Sequence, residues 1–498
     1  MLTFNIQYRS EDDLLQARSR LSSSSPGNLL IQIFCGEPTE EYVANLRDET
    51  MRIFPGAQIL GTTTAGEIMD GESFDKTTVI NFMQLHKTEV HTALVGGKDD
   101  LYEVGLQLGR TLRRPNPRLA ILFGCGIKDG GAVNGEPLLA GFQKACPLVT
   151  VAGGQAGDNG VAQKTFVFTQ DGYTDNGAAA ACLYGDSLTV NNRYNLSWVP
   201  LGKEMTITRA EGTQIHTIDN RPAKDIYAHY LGENVGARLP HSAAEFPLVV
   251  ERAGVQLARH ANRVLPDGSL DFMAPFCTGE KVRFAFCHSG LVTNSARTIF
   301  EEFSARPNDA IFIYSCLSRK WVLGEDSKLE LTPLASLAPT AGFFCYGEYF
   351  HNKGENMFLS QTMTVIALSE EGTAEQTDHS SARETPQFLK YETKQIQDLQ
   401  ALHRLVETSA EEREALIKEL QVAIAEIKTL RGFIPICAKC KSIRDDKGFW
   451  NEIELYIQEH TEAQFSHGLC PGCALELYPE LFDENGNMIQ KKYYPPSD

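Results

Sequence analysis

The sequence predicts an α/β fold: a two-lobed mixed α/β unit, then a long helix suited to a coiled coil, then a small four-cysteine, zinc-binding-like module. Three observations carry this. Short apolar runs alternate with helix-period segments through the first half, an apolar heptad seam lies between Leu389 and Ile434, and two close-spaced cysteine pairs follow it.

At 498 residues the chain exceeds one ordinary core, so several folded units are expected. Its formal net charge of -18 and pI near 5.2 would repel a polyanion, which argues against nucleic acid as a partner. Met1 to Ser10 has no basic flank leading into an apolar run, and nowhere do about 18 apolar residues follow one another, so neither export nor a membrane span is expected. A cytoplasmic setting follows from that reading. Cys35, Cys125, Cys146, Cys182, Cys277, Cys287, Cys316 and Cys345 stand singly, mostly in apolar runs, where a reduced thiol acts as a small buried hydrophobe.

The first lobe is placed at residues 1–191. NLLIQIFC reads as a buried strand between a Ser/Pro/Gly cluster and Gly36-Glu37-Pro38. EEYVANLRDETMRIFPG has helical spacing and stops at Pro55-Gly56, before the strand-like AQILGTTTAG. The rhythm recurs in YEVGLQLGRTLRR, RLAILFGCG, NGEPLLAGFQKAC and PLVTVAGGQAGD. Residues 192–370 form the second lobe, with strand-like EMTITRAEG, TQIHTID, FPLVVERAG, EKVRFAF and DAIFIYSC, and fewer helices. One helix, PAKDIYAHYLG, opens on Pro222 and closes at Gly232, as helix sterics favour.

Residues 371–388 are polar and read as a linker. From 389 to 434 a seam of Leu399, Leu402, Val406, Leu416, Leu420, Ala423, Ile427, Leu430 and Ile434 keeps three- and four-residue spacing, with Ser409 and Arg413 in the same register. A single amphipathic helix packed on its own protein would show such a seam too. Its length favours a two-stranded coiled coil and a homodimer through residues 389–434.

Residues 435–482 hold Cys437, Cys440, Cys470 and Cys473, two pairs with the spacing of a tetrahedral sulfur set, and residues 483–498 form a polar tail. Four thiolates would close the site, so the zinc is expected to be structural. A thioredoxin-like redox role would need one pair opening a helix in a strand-helix-strand unit, and neither pair has that setting. The segment resembles a module found at the ends of bacterial sensory proteins, after PAS or receiver domains. Cys437, Cys440, Lys441, Ile443, Arg444, Asp445, Asp446, Gly448 and Trp450 match its first part, and Phe465, Ser466, His467, Gly468, Cys470, Pro471 and Cys473 its second.

Two glycine-rich turns, GTTTAGE at 61–67 and GGQAGD at 153–158, could bring backbone N–H groups to a small anion or zwitterion, or simply reverse the chain. Neither is a phosphate loop, since no Gly-Lys-Ser/Thr follows. In order, GTTTAGEI, GGQAGD, RPAKDIYAHYLG, DGSLDFMAPFCTGEKV and AGFFCYGEYFHN resemble the FIST family over roughly residues 25 to 370. The resemblance implies a bacterial signal-transduction sensory domain that binds a small-molecule ligand such as an amino acid and acts on a signalling protein partner. It places the pocket at Thr63, Thr64, Gly66, Glu67, Gly153, Gly154, Asp158, Tyr346, Gly347 and Glu348. HNKGENMFLSQTMTV is longer than the family's continuation there, so a pocket lid would be reshaped.

Some FIST-like proteins resemble haem-bound nitric-oxide sensors, which makes haem the alternative cofactor, with His216, His229, His241, His260, His288 and His351 as possible axial ligands. An enzyme is not expected, because no Gly-x-Ser-x-Gly elbow or His-Glu-x-x-His helix appears. An interaction adaptor without ligand is the third reading.

Overall fold

A computed structural model describes residues 1–21, 28–147, 149–252, 254–371, 394–430, 434–445, 447–460 and 463–489. The linker assigned to 371–388 lies, apart from residue 371, outside the described residues, as does the end of the polar tail. The chain divides into two compact units, Met1–Ala410 and Glu411–Asp498.

The first unit is built from one plan used three times. The first repeat runs β1 (Leu2–Gln7), α1 (Glu11–Arg20), β2 (Leu29–Cys35), α2 (Glu40–Ile53), β3 (Gln58–Thr63), a hairpin of β4 (Glu67–Met69) and β5 (Glu72–Phe74), and β6 (Thr78–Gln84). The second runs β7 (Glu89–Gly96), α3 (Leu101–Thr111), β8 (Pro117–Gly124), the small pair β9 (Ile127–Lys128) and β10 (Gly131–Ala132), α4 (Glu136–Ala145), β11 (Thr150–Gln155), a hairpin of β12 (Val167–Thr169) and β13 (Gly172–Thr174), and β14 (Gly177–Tyr184).

The third begins with β15 (Leu188–Asn195) and is then interrupted by an insertion. That insertion holds β16 (Val199–Glu211), β17 (Gln214–Ile218), β18 (Arg221–Pro222), α5 (Ala223–Leu231), α6 (Glu233–Ala237), α7 (His241–Glu245), β19 (Leu248–Arg252), β20 (Val255–Arg259), β21 (Ala261–Val264), β22 (Leu270–Phe272) and β23 (Lys281–Phe286). The repeat resumes with α8 (Ser289–Ser304), β24 (Ala310–Cys316), α9 (Leu317–Leu323), α10 (Lys328–Ala335), β25 (Thr340–Cys345), a hairpin of β26 (Glu348–Asn352) and β27 (Glu355–Leu359), and β28 (Met363–Glu370).

Each repeat lends its hairpin to a neighbour. The sheet orders are β1-β6-β2-β3-β12-β13, β7-β14-β8-β11-β26-β27 and β15-β28-β24-β25-β4-β5. In each, the central pair is parallel and every other pairing antiparallel. Their runs, such as LLIQIFC in β2 and GAAAACLY in β14, are buried throughout because one face meets a shared core and the other its helices.

The register shows how deep the repetition goes. Ile33 pairs with Gly61, Leu122 with Gly153, and Ile313 with Gly342. The residue after the first partner in each case is aromatic: Phe34, Phe123 and Tyr314. Phe123 lies 6.2 Å from Phe34 and 6.1 Å from Tyr314, centroid to centroid, and Phe343 packs against all three. The glycines opposite serve close approach. A Cβ on Gly61 would come within 2.1 Å of the Phe168 ring, and one on Gly153, at φ +121°, within 2.0 Å of the Leu122 carbonyl oxygen.

The α/β class read from the sequence is borne out, and the boundary drawn at 191 falls within β15. The second lobe proves richer in helix than its sequence suggested. α8 buries Val292, Ala296, Ile299 and Phe303 at helical spacing, whereas α9 spans only Leu317–Leu323 and α10 contains Pro333, both weak local signals. The insertion forms its own sheet, ordered β20-β19-β23-β16-β17-β22-β21, around Ile207, Tyr227, Phe272 and Phe284.

Glu370 closes the third sheet onto the first repeat. Its carboxylate accepts the backbone N–H groups of His86, Lys87 and Thr88 at 2.9, 2.7 and 2.7 Å and meets the Met1 amine at 3.3 Å. Burial alone would push this carboxyl up, but the N–H donors outweigh it and hold it at about 2. A carboxyl depressed in the fold stabilises above its unfolded value near 4.5, and that stabilisation is lost as pH falls toward about 2. Denaturant unfolding from neutrality into acid is expected to show Glu370→Gln less stable at neutral pH, with a shallower acid limb.

Helix α11 (Lys394–Leu430) covers most of the segment assigned to a coiled coil. Seam residues Leu402, Val406, Leu416 and Leu420 are 57%, 43%, 68% and 61% exposed. Beyond it lie the hairpin β29 (Ile443–Arg444) and β30 (Trp450–Asn451), α12 (Ile453–His460) and α13 (Pro471–Leu477). No helix among the described residues is long and apolar enough to cross a membrane.

Candidate functional site

The acids singled out in the sequence stand where the hairpins leave their repeats. Glu67 opens β4; one carboxylate oxygen accepts the Thr77 N–H at 2.9 Å and hydroxyl at 2.6 Å, the other the Thr64 hydroxyl. Thr77 is the last residue before β6, so Glu67 ties the start of the excursion to its end. Glu348 repeats this at the base of β26 and β27, with Thr362 in the part of Thr77 and the Cys345 thiol, at 3.3 Å, in the part of Thr64. Both carboxylates are fully buried, and burial raises both, Glu348 to about 8, against the hydrogen bonds that lower them.

Asp158 orders the loop that leads into the β12–β13 hairpin. Its carboxylate accepts the N–H groups of Ala162, Gln163 and Lys164 at 3.0, 2.6 and 3.0 Å, and the Tyr346 hydroxyl. Thr63 exchanges hydrogen bonds with the backbone of Phe166, just before β12, with its hydroxyl accepting the Phe166 N–H at 2.9 Å. Thr63, Thr64, Glu67, Asp158 and Glu348 are therefore occupied in holding the exchanged hairpins. Gly153 and Gly154 lie inside β11, and Gly66 and Gly347 precede β4 and β26, where each leaves room for close neighbours.

A sizeable concavity lies nearby. A cavity of about 710 Å³ opens between the second and third repeats and the insertion. The second repeat supplies Ile127, Gly131, Ala132 and Asn134 around β9 and β10, with Gly160 and Ala162 from the loop after Asp158. The third supplies Cys316 at the end of β24, Leu317, Ser318, Trp321 and Val322 of α9, and Cys345 at the end of β25 with Tyr346 after it. The insertion closes it with His241, Ala244 and Glu245 of α7, His260 to Arg263, and Asp271 to Met273. Of the candidate pocket residues, Tyr346 alone lines it.

The insertion side was missed because nothing local marks it. His241 and His260 stand in the sequence only among six possible haem ligands, and the cavity joins segments separated by more than a hundred residues. The Cys316 thiol sits 2.8 Å from the Ser318 hydroxyl, and burial first, then the nearby Glu348 carboxylate, push it up to about 12. A thiol so placed is a poor nucleophile. A second hollow of about 650 Å³ near Tyr8, Tyr42 and Lys76 is open to solvent on the first repeat.

Residues 29–221 match the FIST N domain and residues 223–351 the FIST C domain. This is a FIST-domain protein. FIST domains are sensory domains of signal transduction. The two matches meet at the start of α5, inside the insertion, so the FIST pair runs from β2 of the first repeat into β26 of the third. No curated protein matches the chain. Among solved structures, a crystal structure of a chorismatase aligns with 11% identity over 74% of this chain and 97% of that chain, at a TM-score of 0.30, too low to carry an argument.

The four-cysteine segment lies beyond the FIST domains. Cys437 and Cys440 flank a tight turn in which the Lys441 N–H donates to the Cys437 carbonyl at 3.0 Å and Lys441 takes φ +63°. Cys470 caps α13 and Cys473 lies in its first turn. Hydrogen bonds from Ser442 first, then the neighbouring Cys437 thiol, lower Cys440 to about 7, a thiolate-prone setting. Among the described residues no three His, Cys, Asp or Glu side chains are gathered in a metal-holding group. Asp445 builds the turn between β29 and β30, accepting the N–H groups of Lys447 and Phe449 at 3.0 and 2.8 Å and the Asn451 amide at 2.9 Å.

Proposed function

We propose that this FIST-domain protein is a non-enzymatic sensor that binds a small organic ligand in the cavity between its repeats and the insertion, and relays binding through α11 to the four-cysteine segment. The cavity carries the reading. Its size is that of small-molecule sites, roughly 300–1,000 Å³, and its walls are mostly apolar with a few polar groups, as such sites are. It also joins parts of the fold that a ligand could draw together. The FIST resemblance adds amino acids as one ligand class to screen.

The relay rests on the exposed seam of α11. Apolar residues at heptad spacing left open to water favour pairing with a second copy, and Ser409 and Arg413 in that seam would leave two pairings close in energy. The cysteine pairs supply donors suited to zinc, which would hold the terminal segment together and do no chemistry. Haem is the second reading, favoured by one observation: His241, His260 and Met273, all possible axial ligands, line the cavity.

One preparation of the full chain separates these readings. A colourless protein that carries zinc, loses it in a Cys437→Ser/Cys440→Ser variant, and sediments as a dimer is expected. An intense haem band that Ala244→Trp abolishes would transfer the cavity to haem. Zinc content unchanged by the double substitution would remove the four-cysteine site.

A further inference from the structure

The cavity's lining restricts what it can hold. Glu245 is held by both terminal nitrogens of Arg238 at 2.7 and 2.9 Å. Asp271 takes the Arg263 Nε at 3.0 Å and the Thr213 hydroxyl at 2.7 Å. Among the described residues no lysine lines the cavity, and apart from the two histidines every ionisable acid or base in the lining other than Tyr346 and the thiols is one of these paired groups. Tyr346 is itself bonded to Asp158. Apart from the exposed His241 at the rim, an incoming ammonium or carboxylate would find a counter-charge only by breaking an existing ion pair, and a buried charge without one is strongly disfavoured.

Against this stands a buried, uncommitted group. The Nδ1 atom of His260 is buried without a hydrogen-bond partner. Burial holds the His260 imidazole at about 4, so at neutral pH it is uncharged and offers a hydrogen bond rather than a charge. Elsewhere the lining includes flat or apolar side chains: Phe272, Met273, Leu317, Trp321 and Tyr346. Such surfaces favour the face of a ring.

We propose that the cavity takes an uncharged, ring-bearing molecule with a polar group that hydrogen-bonds His260, and that it discriminates against zwitterions and carboxylates of the same shape. This rests on the sensor reading above for its location, and adds the chemical class. It runs against the amino-acid ligands that the family resemblance implied.

Indole, L-tryptophan and indole-3-carboxylate share a ring and differ in charge, so they serve as probes. Calorimetric titration of the full chain at neutral pH is expected to give indole binding at least tenfold tighter than either charged relative. Ala244→Trp, which fills the cavity, is expected to abolish indole binding, and His260→Phe to weaken it while His260→Asn retains it. Denaturant unfolding of each variant shows that it is folded. Equal or tighter binding of a charged relative, lost in Ala244→Trp, would overturn the ligand class and leave the site standing. Binding by none of the three, or binding that Ala244→Trp leaves unchanged, would overturn both.

Discussion

Phe123→Ala is expected to cost about 3–5 kcal/mol of stability, as buried Phe-to-Ala changes in close-packed cores do. Phe123 touches Phe34, Tyr314 and Phe343, which come from β2, β24 and β25, so one ring joins the first and third repeats to the second. The fold could not close over the lost volume, because the strands on every side are fixed by exchanged hairpins. Denaturant unfolding of the first unit should show a large fall in midpoint with cooperativity kept. A loss below about 1 kcal/mol, the range of tolerated swaps, would mean that the three sheets do not share a core.

The second large effect lies behind the cavity. Arg319 is 1% exposed and Glu330 2%; the guanidinium reaches the carboxylate through Nε at 3.0 Å and Nη2 at 2.8 Å. Its Nη1 donates to the Leu196 carbonyl at 2.8 Å, and the Asn195 amide donates to Glu330 at 3.0 Å. The pair fastens α9 and α10 to the end of β15, where the insertion departs. Removing one charge strands the other, so Arg319→Met is expected to lose about 3–5 kcal/mol. Arg319→Met with Glu330→Leu should recover part of that, since no charge is stranded, though Asn195 and Leu196 lose partners. A double variant no better than Arg319→Met would show that geometry, not charge, sets the cost.

Local order was legible in the sequence and long-range pairing was not. The apolar runs of β2, β8, β11 and β24 and the helical period of α2, α3 and α4 announce themselves, because each is decided by which residues a short segment must bury. The motifs Thr64-Ala65-Gly66-Glu67, Gln155-Ala156-Gly157-Asp158 and Cys345-Tyr346-Gly347-Glu348 were each visible too. Their meaning was not. Glu67 lies opposite Phe343 in the sheet and Glu348 opposite Gly154, separations that no local pattern encodes. Acids beside glycine turns read as ligand groups, whereas the exchange of hairpins turns them into ties between strand ends. The cavity was hidden for the same reason: Tyr346 was found through its motif, but His260, Ala244 and Trp321 meet only after the insertion folds back onto the repeats.

The most direct test of the sensor reading is hydrogen exchange on the full chain with and without saturating indole. Slowed exchange is expected at residues 127–134, 240–245, 260–263 and 316–322, the segments that wall the cavity. Slowed exchange confined to residues 7–9, 37–45 and 76–78, around the hollow on the first repeat, would place the ligand elsewhere and contradict the account.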